Sequence, residues 1–126
     1  MTEDERYEAG MKVRRKVLGD AWVDGTLAKR SEFNTEFQEF VTRTVWGSIW
    51  TRPGLDLKTR SCMVLCTMMA LGRWEEFRLH VKAAFNNGLG KDEIKEIILQ
   101  TTAYCGAAVG NHAVHEAEAV FAMENL

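Results

Sequence analysis

Apolar residues recur every three to four positions along most of this chain, and the strict alternation of a half-buried strand appears nowhere. The pattern predicts an all-α fold of about six helices. Thr2 and Glu5 form a Thr-x-x-Glu capping box that starts a first helix near residue 3. Its apolar positions are Tyr7, Met11, Val13, Val17 and Leu18, and Gly19-Asp20 ends it. Residues 21–30 read as an irregular connection anchored by Trp22, Val23 and Leu27. Ser31 is the expected N-cap of a helix striped by Phe33, Phe37, Phe40, Val41 and Val45. From Trp46 to Leu57 the pattern breaks, with Pro53-Gly54 as its clearest turn.

Asp56 is the expected cap of a third long helix over residues 57–71, apolar on nearly every face from Cys62 to Leu71. One small domain cannot cover such a helix on all sides, which predicts subunit contacts. Gly72 interrupts, residues 73–87 form a fourth helix, and Gly88 is its left-handed cap. A fifth begins at Lys91-Asp92-Glu93 and buries Ile94, Ile97, Ile98, Thr101 and Thr102. The small residues from Gly106 to Gly110 predict a tight helix crossing or a pocket wall, and Ala113–Met123 the last helix.

Composition narrows the class. At 126 residues, 46% hydrophobic and with one proline, the chain reads as a single domain over 1–126 with a packed core. A net charge of −2 without a basic block argues against nucleic acid as a partner. No apolar run is long enough to span a bilayer, and the charged N-terminus is not a signal peptide, so a cytoplasmic location is expected. Cys62, Cys66 and Cys105 make no disulfide framework and no CxxC; the first two sit one turn apart, as small core residues do. His80, His112 and His115 match no zinc spacing, so no metal is expected. Arg14, Arg15 and Lys16 lie beside the first apolar face, as a solvated face or an anion-binding arm.

Candidate chemistry gathers between Arg60 and Asn87. Glu76 and His80 are four apart and share a helix face. On spacing alone they are a surface pair; in a buried setting they could position each other for proton transfer. Arg60 and Ser61 are the polar members at the start of the apolar helix. Trp50, with Trp46, flanks the Pro-Gly turn as a packing plug or a pocket entrance. Cys105, His112 and His115 border the small-residue segment.

These residues carry a resemblance. The segments RYEAGMKVRRKVLG, FNTEFQEFVTRTVWG, WTRPGLDLKTRS, LHVKAAFNNG and DEIKEIILQTTAYCG, in this order, resemble the short single-domain members of the carboxymuconolactone decarboxylase family. The resemblance implies an alkylhydroperoxidase-D-like helical fold in homo-oligomeric rings, trimers or hexamers. It implies cofactor-free decarboxylation of a small anionic lactone, 4-carboxymuconolactone, to 3-oxoadipate enol-lactone in protocatechuate breakdown. His80 then becomes the expected proton donor or oxyanion partner, with Glu76 orienting it and raising its pKa. Arg60 becomes the carboxylate anchor, and Ser61, Trp50, Cys105, His112 and His115 candidate substrate contacts. In the peroxidase branch of the superfamily, Arg73 and Glu76 stand where two thiols would be, which argues against disulfide-based peroxide chemistry. Two departures are Trp22 within Ala21-Trp22-Val23-Asp24, where histidine is typical, and Ala107-Ala108-Val109 after Gly106, where a proline is usual. They leave room for a related lactone acid as the substrate. Thiol-dependent peroxidase activity and a non-catalytic helical oligomer also stay open on the residues alone.

Overall fold

The computed structural model describes residues 1–126 and contains helices and turns only. The elements are α1 (Glu3–Leu18), α2 (Asp20–Ala28), α3 (Thr35–Val41), a π-helical segment (Thr42–Ile49), α4 (Leu57–Leu71), α5 (Trp74–Asn86), α6 (Lys91–Cys105) and α7 (Ala107–Met123). They group into two units, Met1–Asp56 and Leu57–Leu126.

In the N-terminal unit, the Thr2–Glu5 capping box opens α1 as expected: the Glu5 amide donates to Thr2 Oγ1, and the Thr2 amide to Glu5 Oε1, both at 3.1 Å. Gly19, at φ 91°, ends α1 but does not start a loop. Residues 20–28 are helical, not irregular, because the chain turns within one glycine and Asp20 occupies the first turn of α2. There Val23 is buried, while Trp22 is exposed rather than an anchor.

The tryptophan segment also stays helical, contrary to the break expected at Trp46. It widens into π geometry through Ile49, and the Trp50 amide donates to the Val45 carbonyl five residues back. The sequence supplies the cause. Thr42, Thr44, Ser48 and Thr51 each donate a hydroxyl to a carbonyl four or five residues earlier, competing with the α-helical ladder. α1 packs on this segment through two glycines, where a Cβ on Gly10 would strike the Thr42 carbonyl and one on Gly47 the Arg6 carbonyl. This approach turns Gly10, Arg14, Val17 and Leu18 inward. Phe33, Phe37 and Phe40, expected as a stripe, lie on the outside, with Phe33 96% exposed in the turn before α3.

The C-terminal unit closes a conventional core. Leu65 and Met69 of α4, Phe77, Val81 and Ala84 of α5, Ile94 and Ile98 of α6, and Ala113, Ala117 and Val120 of α7 form one cluster. α4 covers residues 57–71 as expected, yet only Ser61, Leu65 and Met69 are fully inside; Met63 and Leu71 lie on the surface. Gly88 takes φ 96° as the expected left-handed cap. α7 begins at Ala107, not Ala113, because Gly106 at φ 102° reverses the chain at once. Gly110 then meets Thr102 so closely that a Cβ would overlap the threonine side chain: the small residues form the tight crossing.

Candidate active site

Glu76 and His80 come off successive turns of α5, whose inward residues Phe77, Val81 and Ala84 hold the helix against the core. His80 is half-buried and Glu76 is exposed. Burial pushes the imidazole down to about 4, and the Glu76 charge works the other way without winning. The expected elevation by Glu76 is therefore outweighed. At neutral pH His80 is an uncharged imidazole, able to donate or accept a hydrogen bond.

Arg60 is half-buried in the first turn of α4. Ser61, next to it, is fully buried, and its hydroxyl accepts from Asn87 Nδ2 at 2.7 Å. The same amide reaches the Leu57 carbonyl at 3.4 Å. Ser61 thus braces the start of α4 against the end of α5. That brace was invisible in the sequence, where Asn87 read only as part of a helix stop.

The other candidates are spread out. Trp50 belongs to the N-terminal unit, buried and stacked on Trp46 with ring centroids 5.1 Å apart. Cys105 is exposed at the end of α6, where it shares an apolar groove of about 450 Å³ with Cys66 and Tyr104. Cys66 accepts a hydrogen bond from Thr101 Oγ1 at 3.3 Å, and all three cysteines are free thiols. His115 is exposed on α7.

His112 belongs to a cluster that the sequence did not reveal. Its ring stacks on Trp74 of α5 at 4.0 Å, and its Nε2 lies 3.2 Å from Glu116 Oε1. The other Glu116 oxygen accepts from Arg78, and that bond, first, holds the Glu116 carboxyl below its ordinary range. The spacing of four between His112 and Glu116 was the one available signal; Trp74 and Arg78 join them only through the packing of α5 on α7. The cluster ties two helices together and leaves His112 half outside. No group of three or more His, Cys, Asp or Glu side chains is placed to hold a metal ion.

Comparison with known proteins places this chain. A 4-carboxymuconolactone decarboxylase of Acinetobacter baylyi is 46% identical over 121 residues, covering 96% of this chain and 90% of that protein. A second 4-carboxymuconolactone decarboxylase, of Pseudomonas putida, is 60% identical over 47 residues, 37% of this chain and 98% of that one. A nitrosuccinic acid decarboxylase of Metarhizium robertsii is 40% identical over 100 residues, 79% of this chain and 70% of that protein. Residues 35–119 match the carboxymuconolactone decarboxylase family, and on both grounds the chain belongs to that family.

Proposed function

We propose that this protein removes CO2 from 4-carboxymuconolactone to give 3-oxoadipate enol-lactone, without a cofactor. The observation that carries the reading is the 46% identity to a decarboxylase of that name across 96% of the chain.

The chemistry asks for little machinery. Breaking the ring carbon–carboxylate bond releases CO2. The electron pair moves through the ring alkene onto the lactone carbonyl oxygen, giving an oxyfuran-like dienolate. Protonation at the carbon next to that carbonyl yields the product. The enzyme must hold an anionic substrate, stabilise the oxyanion and deliver one proton. Arg60 is the proposed carboxylate holder, because a guanidinium meets a carboxylate at two points. His80 is the proposed oxyanion partner and proton source. Neutral in the empty protein, it can donate an N–H to the developing oxygen. A dianion bound beside it favours the imidazolium, which can then protonate carbon. Glu76 positions the ring and supports that charge.

His80→Gln keeps a polar side chain of similar reach and should lower kcat by roughly 10²–10⁴-fold, the usual scale for a positioned acid–base group. Consumption of the lactone by purified variant and parent, in chelator and with no added cofactor, is the measurement. Undiminished turnover by His80→Gln would remove His80 from the mechanism.

A second reading, a decarboxylase of a related acid, is supported by the likeness to a nitrosuccinic acid decarboxylase. A panel of lactone acids and small dicarboxylic acids separates the two by their kcat/KM ratios. Assembly into homo-oligomers in the cytoplasm completes the proposal. It is supported by the uncovered Phe33, Phe37, Phe40, Met63 and Leu71, and by three cysteines that form no disulfide with one another. A single-chain mass in sedimentation at micromolar concentration would contradict the assembly.

A further inference from the structure

Arg60 sits in the first turn of α4, the part of a helix whose amides lack partners within the helix and which opens most readily. One residue grips that turn on both sides of Arg60. Asn87, the C-cap of α5, donates its side-chain amide to Ser61 Oγ at 2.7 Å and to the Leu57 carbonyl at 3.4 Å. Ser61 is fully buried, so water does not stand in for that bond. Lys58 of the same turn also reaches Glu93 at 3.4 Å, but both side chains are half exposed, and such a pair holds weakly.

The Asn87 contact fixes geometry more than it stabilises. The Asn87 side-chain oxygen is buried and accepts from nothing. Turning the amide over gives no relief: the NH2 would then be buried without an acceptor, and a second oxygen would face the Leu57 carbonyl. What two hydrogen bonds contribute to stability is offset by the oxygen stripped of water.

α5 uses two edges. Trp74 and Arg78 meet His112 and Glu116 of α7. Asn87 meets α4, and at 3.6 residues per turn it stands roughly 140–180° round the helix from Trp74 and Arg78. His80, seven residues before Asn87, lies within about 20° of it, on the α4 edge and roughly 10 Å along the axis. We propose, on the roles given above to Arg60 and His80, that Asn87 is a positioning residue. Through Ser61 and Leu57 it fixes the turn that presents Arg60, so that a carboxylate held by Arg60 is kept at a set distance from His80. Asn87 itself touches no reacting atom.

The test is a double-variant cycle in the whole purified chain, read by lactone consumption with melting in parallel. Asn87→Ala should raise KM at least about tenfold with kcat within about twofold, because the carboxylate is held alike in the ground and transition states. Its Tm should fall by no more than about 4 °C, since the orphan oxygen leaves with the amide. Ser61→Ala should act in the same direction. In an Arg60→Met background, adding Asn87→Ala should change kcat/KM by less than about twofold, because the group it acts through is already gone. A merely structural brace lowers kcat through the folded fraction, and by the same factor in both backgrounds. Equal factors would overturn the proposal, and so would an unchanged KM in Asn87→Ala. If Asn87→Ala does not fold, Ser61→Ala carries the cycle. If wild type leaves the lactone untouched, the decarboxylase reading falls, and the cycle is read instead on the Kd of adipate, a six-carbon dicarboxylate, by calorimetry. A loss of about tenfold on Asn87→Ala that disappears in the Arg60→Met background would uphold the hold on Arg60. Equal losses, or no adipate binding by wild type, would overturn it.

Discussion

The two units bring helices together on glycine in different ways. In the N-terminal unit, Gly10 of α1 and Gly47 of the π segment put backbone against backbone: the first atoms that a Cβ would meet are the Thr42 and Arg6 carbonyl oxygens. In the C-terminal unit, Gly110 of α7 faces the Thr102 side chain of α6. Backbone cannot change rotamer, whereas a threonine can be replaced or turned. The first crossing is therefore rigid, and it dictates what else lies inward, including Arg14. The second is adjustable. The units also bury cations differently. His80 answers burial by giving up its proton, with its pKa at about 4, while Arg14 has no such escape and keeps its charge beside the neutral Gln38 side-chain oxygen.

The largest expected effect tests the rigidity of the first crossing. Gly10→Ala should destabilise the fold by about 3 kcal/mol or more, above the middle of the overpacking range, because no side chain can yield. Urea denaturation followed by circular dichroism reads it, and a midpoint within error of wild type would mean that the α1 crossing is soft. Shortening Thr42 to serine should restore nothing, since the obstacle is its carbonyl oxygen.

That crossing also explains which parts of the fold could be read from the residues. The Thr2–Glu5 box, the Gly88 cap and the Ile94–Ile98–Thr101 stripe are local patterns, and each appears where its spacing placed it. Those that failed depend on partners far along the chain. Of the α1 stripe, Val17 and Leu18 are buried as read, but Tyr7, Met11 and Val13 are only half-buried, and the glycine contact turns Gly10 and Arg14 inward beside them. Phe33, in the turn before α3, and Phe37 and Phe40 within it stay outside. Gly19 and Gly106 looked like ends of structure, yet each, with positive φ, joins two helices directly. At the candidate site, the Glu76–His80 spacing was legible, but the dominance of burial over the Glu76 charge was not, because depth has no signature in spacing. The family segments supplied the reaction; the Trp74–His112–Glu116–Arg78 cluster needed the packed helices.

The next effect sharpens the contrast between the two buried cations. His80 has a folded pKa of about 4 against an ordinary 6.5. Above 6.5 both folded and unfolded chains hold it neutral, and it makes no pH-dependent contribution. As pH falls from 6.5 towards 4, the unfolded chain takes up a proton that the folded chain refuses, so stability declines, by up to about 3 kcal/mol once below 4. Glu116, held down by Arg78, adds to the decline only at the acid end. Unfolding free energies of wild type and His80→Gln at pH 7, 6, 5 and 4 should converge as pH falls, the variant curve being flatter. Parallel curves would show that His80 is solvated, and its contrast with Arg14 would vanish. Arg14→Met, by comparison, should shift stability by the same amount at every one of these pH values.

The smallest effect asks whether the second crossing really is adjustable. Gly110→Ala drives a methyl into the Thr102 side chain, whose hydroxyl already donates to the Ile98 carbonyl at 2.7 Å. The expected destabilisation is about 1–3 kcal/mol. Gly110 has an ordinary helical φ, so the cost is steric and not conformational. Thr102→Ala should remove the obstacle, and Ala at both positions should recover at least about half of the loss, a coupling of the size that touching residues show. The hydroxyl it removes was bonded only to a carbonyl within its own helix, so Thr102→Ala alone should change stability little. Additive losses in the double variant would mean that α6 and α7 meet backbone to backbone as α1 and the π segment do. The two units would then be built alike, and the difference in their tolerance of a methyl group would disappear.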